Sequence, residues 1–167
     1  MEKVITYYLE MHSPLALVSD SKNNGLVIQE CEMDVWEVNR FLYQYVGKQW
    51  HWRDKLVWND EQWKYYVEQS NLRTWIGYWK GAIAGYFELI SDSYGNIEIV
   101  YFGLADVFIG KGFGGYFLSQ AIKYAWTFEG AKRVWVHTCT LDHPRALTNY
   151  QARGLSLYRE EIENLEC

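Results

Sequence analysis

Two prolines in 167 residues leave almost nothing to stiffen a hinge or mark a linker, and no low-complexity run or internal repeat takes their place. One domain over residues 1–167 is therefore expected, a length that buries a proper core without disulfides or metals. Cysteine is scarce and odd in number, at Cys31, Cys139 and Cys167, with no CxxC spacing. That excludes a disulfide framework and a zinc site, so no metal is expected and reduced thiols of a cytoplasmic protein are the default. Long apolar runs are missing too: nothing approaches the roughly 18 residues of a membrane span. The opening MEKVITYYLEMHSP has acidic residues and no cleavage-site pattern, so it does not read as a signal peptide. Positive charge is in short supply, with 16 Lys and Arg against 21 Asp and Glu. The resulting −5 excludes the basic stripe of a nucleic-acid binder and mildly favours a cationic or neutral partner.

What the chain has in plenty is aromatic side chains, 18% of residues and nine of them Trp. They fit either a heavily aromatic core or rings lining a binding groove. Residues 3–11 and 26–31 read as strands, the second entered through the Asn23-Asn24-Gly25 turn. Asp34 is placed to cap a helix with Val35, Val38, Leu42 and Tyr45 or Val46 on its apolar face, ended by Gly47. Asn59 caps a second helix through about Gln69. Residues 73–80, 82–91 and 96–104 then read as three strands joined by tight antiparallel turns. A glycine-rich turn opens a helix from Gly114 to about Phe128, with Phe117, Leu118, Ala121, Ile122 and Ala125 on one face and Gly130 as its stop. Residues 133–140 form a strand, 144–152 a short helix and 155–162 a closing strand. The order calls for an α/β (α+β) sandwich around a mixed, mostly antiparallel sheet with a late parallel crossover.

The turn Ile109-Gly110-Lys111-Gly112-Phe113-Gly114-Gly115 is the densest chemical signal. Glycines there let backbone N–H groups approach a ligand, and the helix N-terminus behind them favours an anion such as a pyrophosphate. A tight turn with no ligand would need fewer glycines. Gly110, Gly112 and Gly115 satisfy GxGxxG literally, but too little chain follows for a doubly wound sheet, and no acidic residue stands about 20 positions on in the right context. A P-loop fails because Gly112, not Ser or Thr, follows Lys111.

Residues 97–155 resemble the GNAT superfamily of acetyltransferases. Its Gln/Arg-x-x-Gly-x-Gly/Ala turn is met by Gly112 and Gly114, with Ile109 in place of the first residue. Its Asn-x-x-Ala-x-x-x-Tyr-x-x-x-Gly-Phe segment is met by Ala146, Tyr150 and Gly154, with His143 for the Asn and Leu155 for the Phe. The two motifs stand in the family's order with a strand between them; the first 90 residues or so match only in element order. The resemblance implies a GNAT-like sheet flanked by about four helices, binding acetyl-CoA as donor. Gly110, Lys111, Gly112, Phe113, Gly114 and Gly115 would hold its pyrophosphate, and His143 would stand in for an Asn of the cofactor site. Backbone groups around Phe102 and Leu104 would meet the pantetheine arm and the thioester oxygen, with a bulge at Gly103.

The same resemblance assigns catalytic roles. Glu98, 11 residues ahead of Ile109, would draw the proton from the acceptor ammonium, with Glu88 as fallback. Its bland counterpart is an exposed strand carboxylate, because Ile97, Ile99 and Tyr101 alternate with it. Tyr150 would protonate the departing thiolate; otherwise it is a packed helix tyrosine. Trp50 and Trp52, between the early helices, would line the acceptor groove or simply plug those helices onto the sheet. His51 and His137 read as lone, non-catalytic histidines. The implied activity is acetyl transfer to a primary amine of a small molecule or peptide, with a homodimer as a family habit. The rival readings are a non-catalytic acetyl-CoA binding or sensing module and, behind it, a nicotinamide oxidoreductase.

Overall fold

The computed structural model describes residues 2–165, so Cys167 lies outside the described residues. Seven strands form one sheet in the order β2-β3-β4-β5-β6-β1-β7. These are β1 (Glu2–Met11), β2 (Val27–Cys31), β3 (Leu72–Trp79), β4 (Ala82–Ser91), β5 (Asn96–Leu104), β6 (Arg133–Cys139) and β7 (Ser156–Leu165). Every neighbouring pair is antiparallel except β5 with β6. That parallel pair is joined by the crossover through α3 (Gly114–Trp126), as a βα unit requires.

Alternation along the strands sends each sheet residue to one of two covered faces. On one face, Trp75, Phe87, Leu89, Ile97 and Ile99 pack with Val134, Val136 and Leu9 against Phe117, Leu118, Ala121 and Ile122 of α3. Tyr150 of α4 (Ala146–Ala152) completes this main core. On the other face, Ile76 and Tyr86 meet Leu42 and Val46 of α1 (Trp36–Gly47). The second helix of that layer, α2 (Asp60–Val67), begins in a capping box in which Asn59 and Gln62 satisfy each other's backbone N–H. The hairpin between β3 and β4 turns on Lys80 and Gly81, both at positive φ, the geometry of a two-residue loop.

The register shifts at three places, in β1 with β7 after Tyr8, in β3 with β4 after Gly77 and in β4 with β5 after Glu88, and the last of these shapes the site. Glu88 faces Tyr101 but Leu89 faces Ile99, so Val100 is an extra residue in β5. The pairing of β5 with β6 runs only from Asn96↔Arg133 to Glu98↔Trp135. A bulge bends and twists its strand, and past Val100 the two parallel strands part.

Several expectations change. The α1 N-cap is Val35, with no side-chain cap from Asp34. The last helix starts at Ala146 and not at Pro144, and two short 3-10 turns, Pro14–Ala16 and Asp106–Phe108, were not anticipated. Gly103 pairs regularly with Tyr86, so the bulge sits at Val100 instead. What Gly103 supplies is room: a Cβ there would lie 2.7 Å from Val46 Cγ1. The bulge also overturns the simple alternation, since the extra residue brings Tyr101 onto the same face as Glu98.

Candidate active site

The parting of β5 and β6 opens a cleft of about 1310 Å³. One wall is β5 from Ile99 to Leu104; the other is Val136, His137 and Cys139 of β6 with the loop to α4. Backbone groups along β5 beyond Glu98 lack a β6 partner, because the ladder ends at Glu98↔Trp135. Phe102 and Leu104 line this stretch, as the sequence suggested.

At one end lies the glycine turn. Gly110 and Gly112 take positive φ of 80° and 83°, conformations that side chains resist. No side chain caps α3, whose N-cap position is Phe113, so the first N–H groups of the helix are left for whatever enters. Gly110, Gly112, Phe113, Gly114 and Gly115 all line the cleft. Lys111 does not; it is exposed and its ammonium lies 5.9 Å from the Trp79 ring centroid. Gly115 is small for a second reason, since a Cβ would meet both Asp20 and Arg153, an ion pair across the turn. The turn is held from outside by Asn24, whose Nδ2 donates to Gly112 O, and from α4 by Asn149, whose Nδ2 donates to Gly114 O.

The loop from β6 to α4 closes the same end. His143 Nδ1 accepts from the Arg145 backbone N–H at 3.0 Å, the local turn-forming bond that an Asn can also make. The Trp50 ring stands edge-on to His143 with centroids 5.1 Å apart, so Trp50 reaches across to this loop. Tyr150 is buried, its ring edge-on to Phe102, and its side chain lines the cleft. Burial first, and Asp142 second, push its hydroxyl well above the ordinary tyrosine range. The phenol is thus held protonated.

At the opposite end the α1–α2 loop supplies Trp52, Asp54 and Lys55. Trp52 packs on Gly47 and Gly103 and joins the smaller core, so it serves the packing role as well as lining the cleft. Asp54 accepts from the Tyr43 and Tyr101 hydroxyls at 2.8 and 2.7 Å. Burial raises its carboxyl, but those two hydroxyls and the Lys55 charge outweigh it and leave the pKa lowered. Asp54, Lys55 and Tyr101 were missed in the sequence; the Asp-Lys pair stood inside an aromatic stretch, and only the fold shows that the rings surround it.

The two candidate carboxylates part company. Glu98 is three-quarters buried at the vertex of the split. Burial raises its pKa, with His137 and Lys55 pulling it back. It does not itself line the cleft; His137, 3.8 Å from its carboxylate, does. Glu88 is fully buried beneath the sheet, where Tyr66 and Asn39 donate to it at 2.6 and 2.9 Å. Burial raises its pKa above the usual range, opposed by those two bonds and by Lys55. His51 also lines the cleft, on the exposed loop, where its Nδ1 is bonded to Arg53.

A sheet split between two parallel strands, with a glycine turn at the head of the crossover helix, makes this a mixed α/β fold whose cleft lies at the split. The chain belongs to the acetyltransferase (GNAT) family, whose pattern it matches over residues 35–155. No curated protein matches it in sequence. It is similar in structure to a GCN5-related N-acetyltransferase from Kribbella flavida, with a TM-score of 0.67 at 15% identity over 92% of this chain and 54% of that one. It also resembles a spermidine N-acetyltransferase from Vibrio cholerae in complex with CoA and spermine, with a TM-score of 0.62 at 18% identity over 79% and 81%. A third, an aminoglycoside acetyltransferase from an uncultured soil metagenomic sample, gives 0.62 at 15% identity over 78% and 88%. The chain thus spans little more than half of the Kribbella protein but most of the other two. No helix among the described residues is long and apolar enough to cross a membrane.

Proposed function

We propose that this cleft transfers an acetyl group from acetyl-CoA to a primary amine by direct attack in a ternary complex. The observation that carries the reading is the split itself: pairing stops at Glu98↔Trp135, and the space beyond runs from an uncapped glycine turn past a buried tyrosine. The site fits the donor. Backbone N–H groups at residues 110–115 and the α3 terminus suit a pyrophosphate, and the free edge of β5 suits an extended amide-bearing arm. When bound, acetyl-CoA supplies the activated acyl group as a thioester.

The chain's own residues divide the remaining work. His143 shapes the loop beside the glycine turn, with Trp50 against it. Unpaired β5 N–H groups near Phe102 and Leu104 are available to oxygen as charge develops. The acceptor amine enters between the α1–α2 loop and β6, and loses its proton on the Glu98 side of the split. As the new C–N bond forms and the C–S bond breaks, Tyr150 is placed to protonate sulfur. The rings of Trp52 and Tyr101 with Asp54 suit a cationic, small-molecule or peptide amine, while Trp50, seated on His143, borders the donor end; relatives of this fold include a spermidine and an aminoglycoside acetyltransferase.

Calorimetric titration with acetyl-CoA, with NADH and ATP as controls, tests the donor. One-to-one binding of acetyl-CoA alone supports the reading, and a panel of spermine, an aminoglycoside and a lysyl peptide then tests CoA release. Binding without release for any amine favours a sensing module, and a folded protein that ignores acetyl-CoA defeats both.

A further inference from the structure

Glu98 sits where the parallel strands part, behind the cleft wall, while His137 stands two residues beyond the last residue of β6 that pairs with β5 and lines the cleft. The two meet across the vertex, His137 Nε2 to Glu98 Oε1 at 3.8 Å, with the imidazole half-exposed and the carboxylate largely covered. We infer that His137 is the base that takes the acceptor's proton, and that Glu98 is the positioning residue that holds its ring. This rests on the cleft being an acetyl-transfer site.

The surroundings of the imidazole leave it that one carboxylate. From β1, the Tyr8 ring lies against it with centroids 5.6 Å apart, but the Tyr8 hydroxyl donates to Glu161 at 2.7 Å. From β7, Glu161 is bound to that hydroxyl and to Arg159, whose guanidinium also lies over the Tyr8 ring. From its own strand, the Trp135 ring is a tilted neighbour with centroids 6.2 Å apart. Lys55, on the α1–α2 loop, acts on Glu98 and is itself bonded to Tyr101 and Asp54. Among the described residues, the ion-pair partner of His137 is Glu98.

With Nε2 turned to Glu98, Nδ1 is left to accept. A carboxylate facing one ring nitrogen favours the tautomer that keeps the hydrogen on that side and leaves the other nitrogen free to accept. The step breaks an N–H bond of the acceptor ammonium. The electron pair stays on the amine nitrogen, the proton goes to Nδ1, and the resulting imidazolium faces the Glu98 carboxylate through Nε2–H. A separation of 3.8 Å is loose for the neutral pair and closes when the ring is charged. Because the ring is half-exposed, it returns the proton to water after each turnover. Glu98 alone has neither direct contact with the cleft nor such an exit.

The test compares wild type, His137→Ala and Glu98→Gln, with spermine as probe amine and CoA release as readout. His137→Ala is expected to lose kcat by about 100-fold, the scale of one acid–base group, with acetyl-CoA affinity unchanged. Added imidazole should restore part of that loss, which no purely structural role would allow. Glu98→Gln should cost roughly 10-fold and gain nothing from imidazole. Titration of the Glu98 carboxyl by carbon NMR should show its pKa rising in His137→Ala, since the ring's charge is one of the two that lower it, that of Lys55 being the other. Turnover within about threefold of wild type in His137→Ala, or no rescue by imidazole, overturns the inference alone. A wild type that releases no CoA with spermine, the aminoglycoside or the peptide overturns the proposed activity, and this inference with it.

Discussion

The Lys55 ammonium donates to the Tyr101 hydroxyl at 2.9 Å while lying 4.4, 4.8 and 5.0 Å from the ring centroids of Trp58, Tyr66 and Tyr101. The chain thus fills an aromatic box with its own cation, and the side chain is only 11% exposed. The charge is compensated by Asp54 at 3.5 Å and acts on both Glu88 and Glu98. Such a lysine anchors the α1–α2 loop to the sheet and keeps Tyr101 in place. Lys55→Met, which retains the apolar stem but removes charge and donor, should cost about 2 kcal/mol in urea denaturation. Acetyl-CoA binding, proposed for the other end of the cleft, should be unchanged by calorimetry.

Glu88 gives a pH signature with a definite sign. Its pKa is raised in the folded protein by burial, so between the unfolded and folded values the native state holds more protons than the unfolded one. Stability is then highest below the unfolded pKa, near 4.5, and falls as pH rises through the raised folded value. Glu88→Gln removes that titration while keeping a side-chain oxygen for Tyr66 and Asn39. Melting temperatures measured from pH 4 upward should therefore fall less steeply in the variant than in wild type. Glu88→Ala, which strands Asn39 and Tyr66, should instead cost about 1–3 kcal/mol at all pH values. Because Glu88 lies outside the cleft, Glu88→Gln should keep kcat within a few-fold of wild type.

Most of this fold could be read from periodicity. The two-residue turn at Lys80-Gly81, the Asn59 cap and the stripe from Phe117 to Ala125 are local signals, and each element stands where they put it, within one or two residues at most boundaries. The bulge at Val100 was not legible, because nothing in Ile99-Val100-Tyr101 marks an extra residue; the pairing with β4 creates it. Tyr101 sharing a face with Glu98 depends on the bulge and was hidden with it, and the approach of His137 to Glu98 was hidden because it comes from the parallel register Glu98↔Trp135. The glycine turn, His143 and Tyr150 were visible because their motif is contiguous in sequence. Asp54, Lys55 and His137 were not, since they meet the site only through the fold.

Gly103 tests the packing side of the split. A Cβ at this position would fall 2.7 Å from Val46 Cγ1 and 3.5 Å from the Trp52 ring. Val46 is fully buried in α1 and cannot swing away. Gly103→Ala should therefore push α1 off β5, costing about 1–3 kcal/mol in denaturant unfolding. Gly81→Ala is the comparison: with φ of 84° but nothing within 4 Å, it carries backbone strain and no clash. That variant should lose only about 1 kcal/mol and leave the near-ultraviolet signal of the tryptophans unchanged.

Tyr150 separates chemistry from binding most cleanly. Its hydroxyl forms no hydrogen bond among the described residues, while its ring is packed against Phe102 and its side chain lines the cleft. Removing the oxygen therefore leaves no stranded partner and no cavity. Tyr150→Phe should keep the melting temperature within about 2 °C. Acetyl-CoA affinity should also hold within about twofold, because the proposed seat of the donor's pyrophosphate is the glycine turn and not this phenol. Turnover should fall by about 100-fold if the phenol protonates the leaving sulfur. The loss should appear in kcat with KM for acetyl-CoA unchanged, the pattern of an interaction made only in the transition state. Full turnover in Tyr150→Phe would assign the residue to the core, where its burial already places most of its ring.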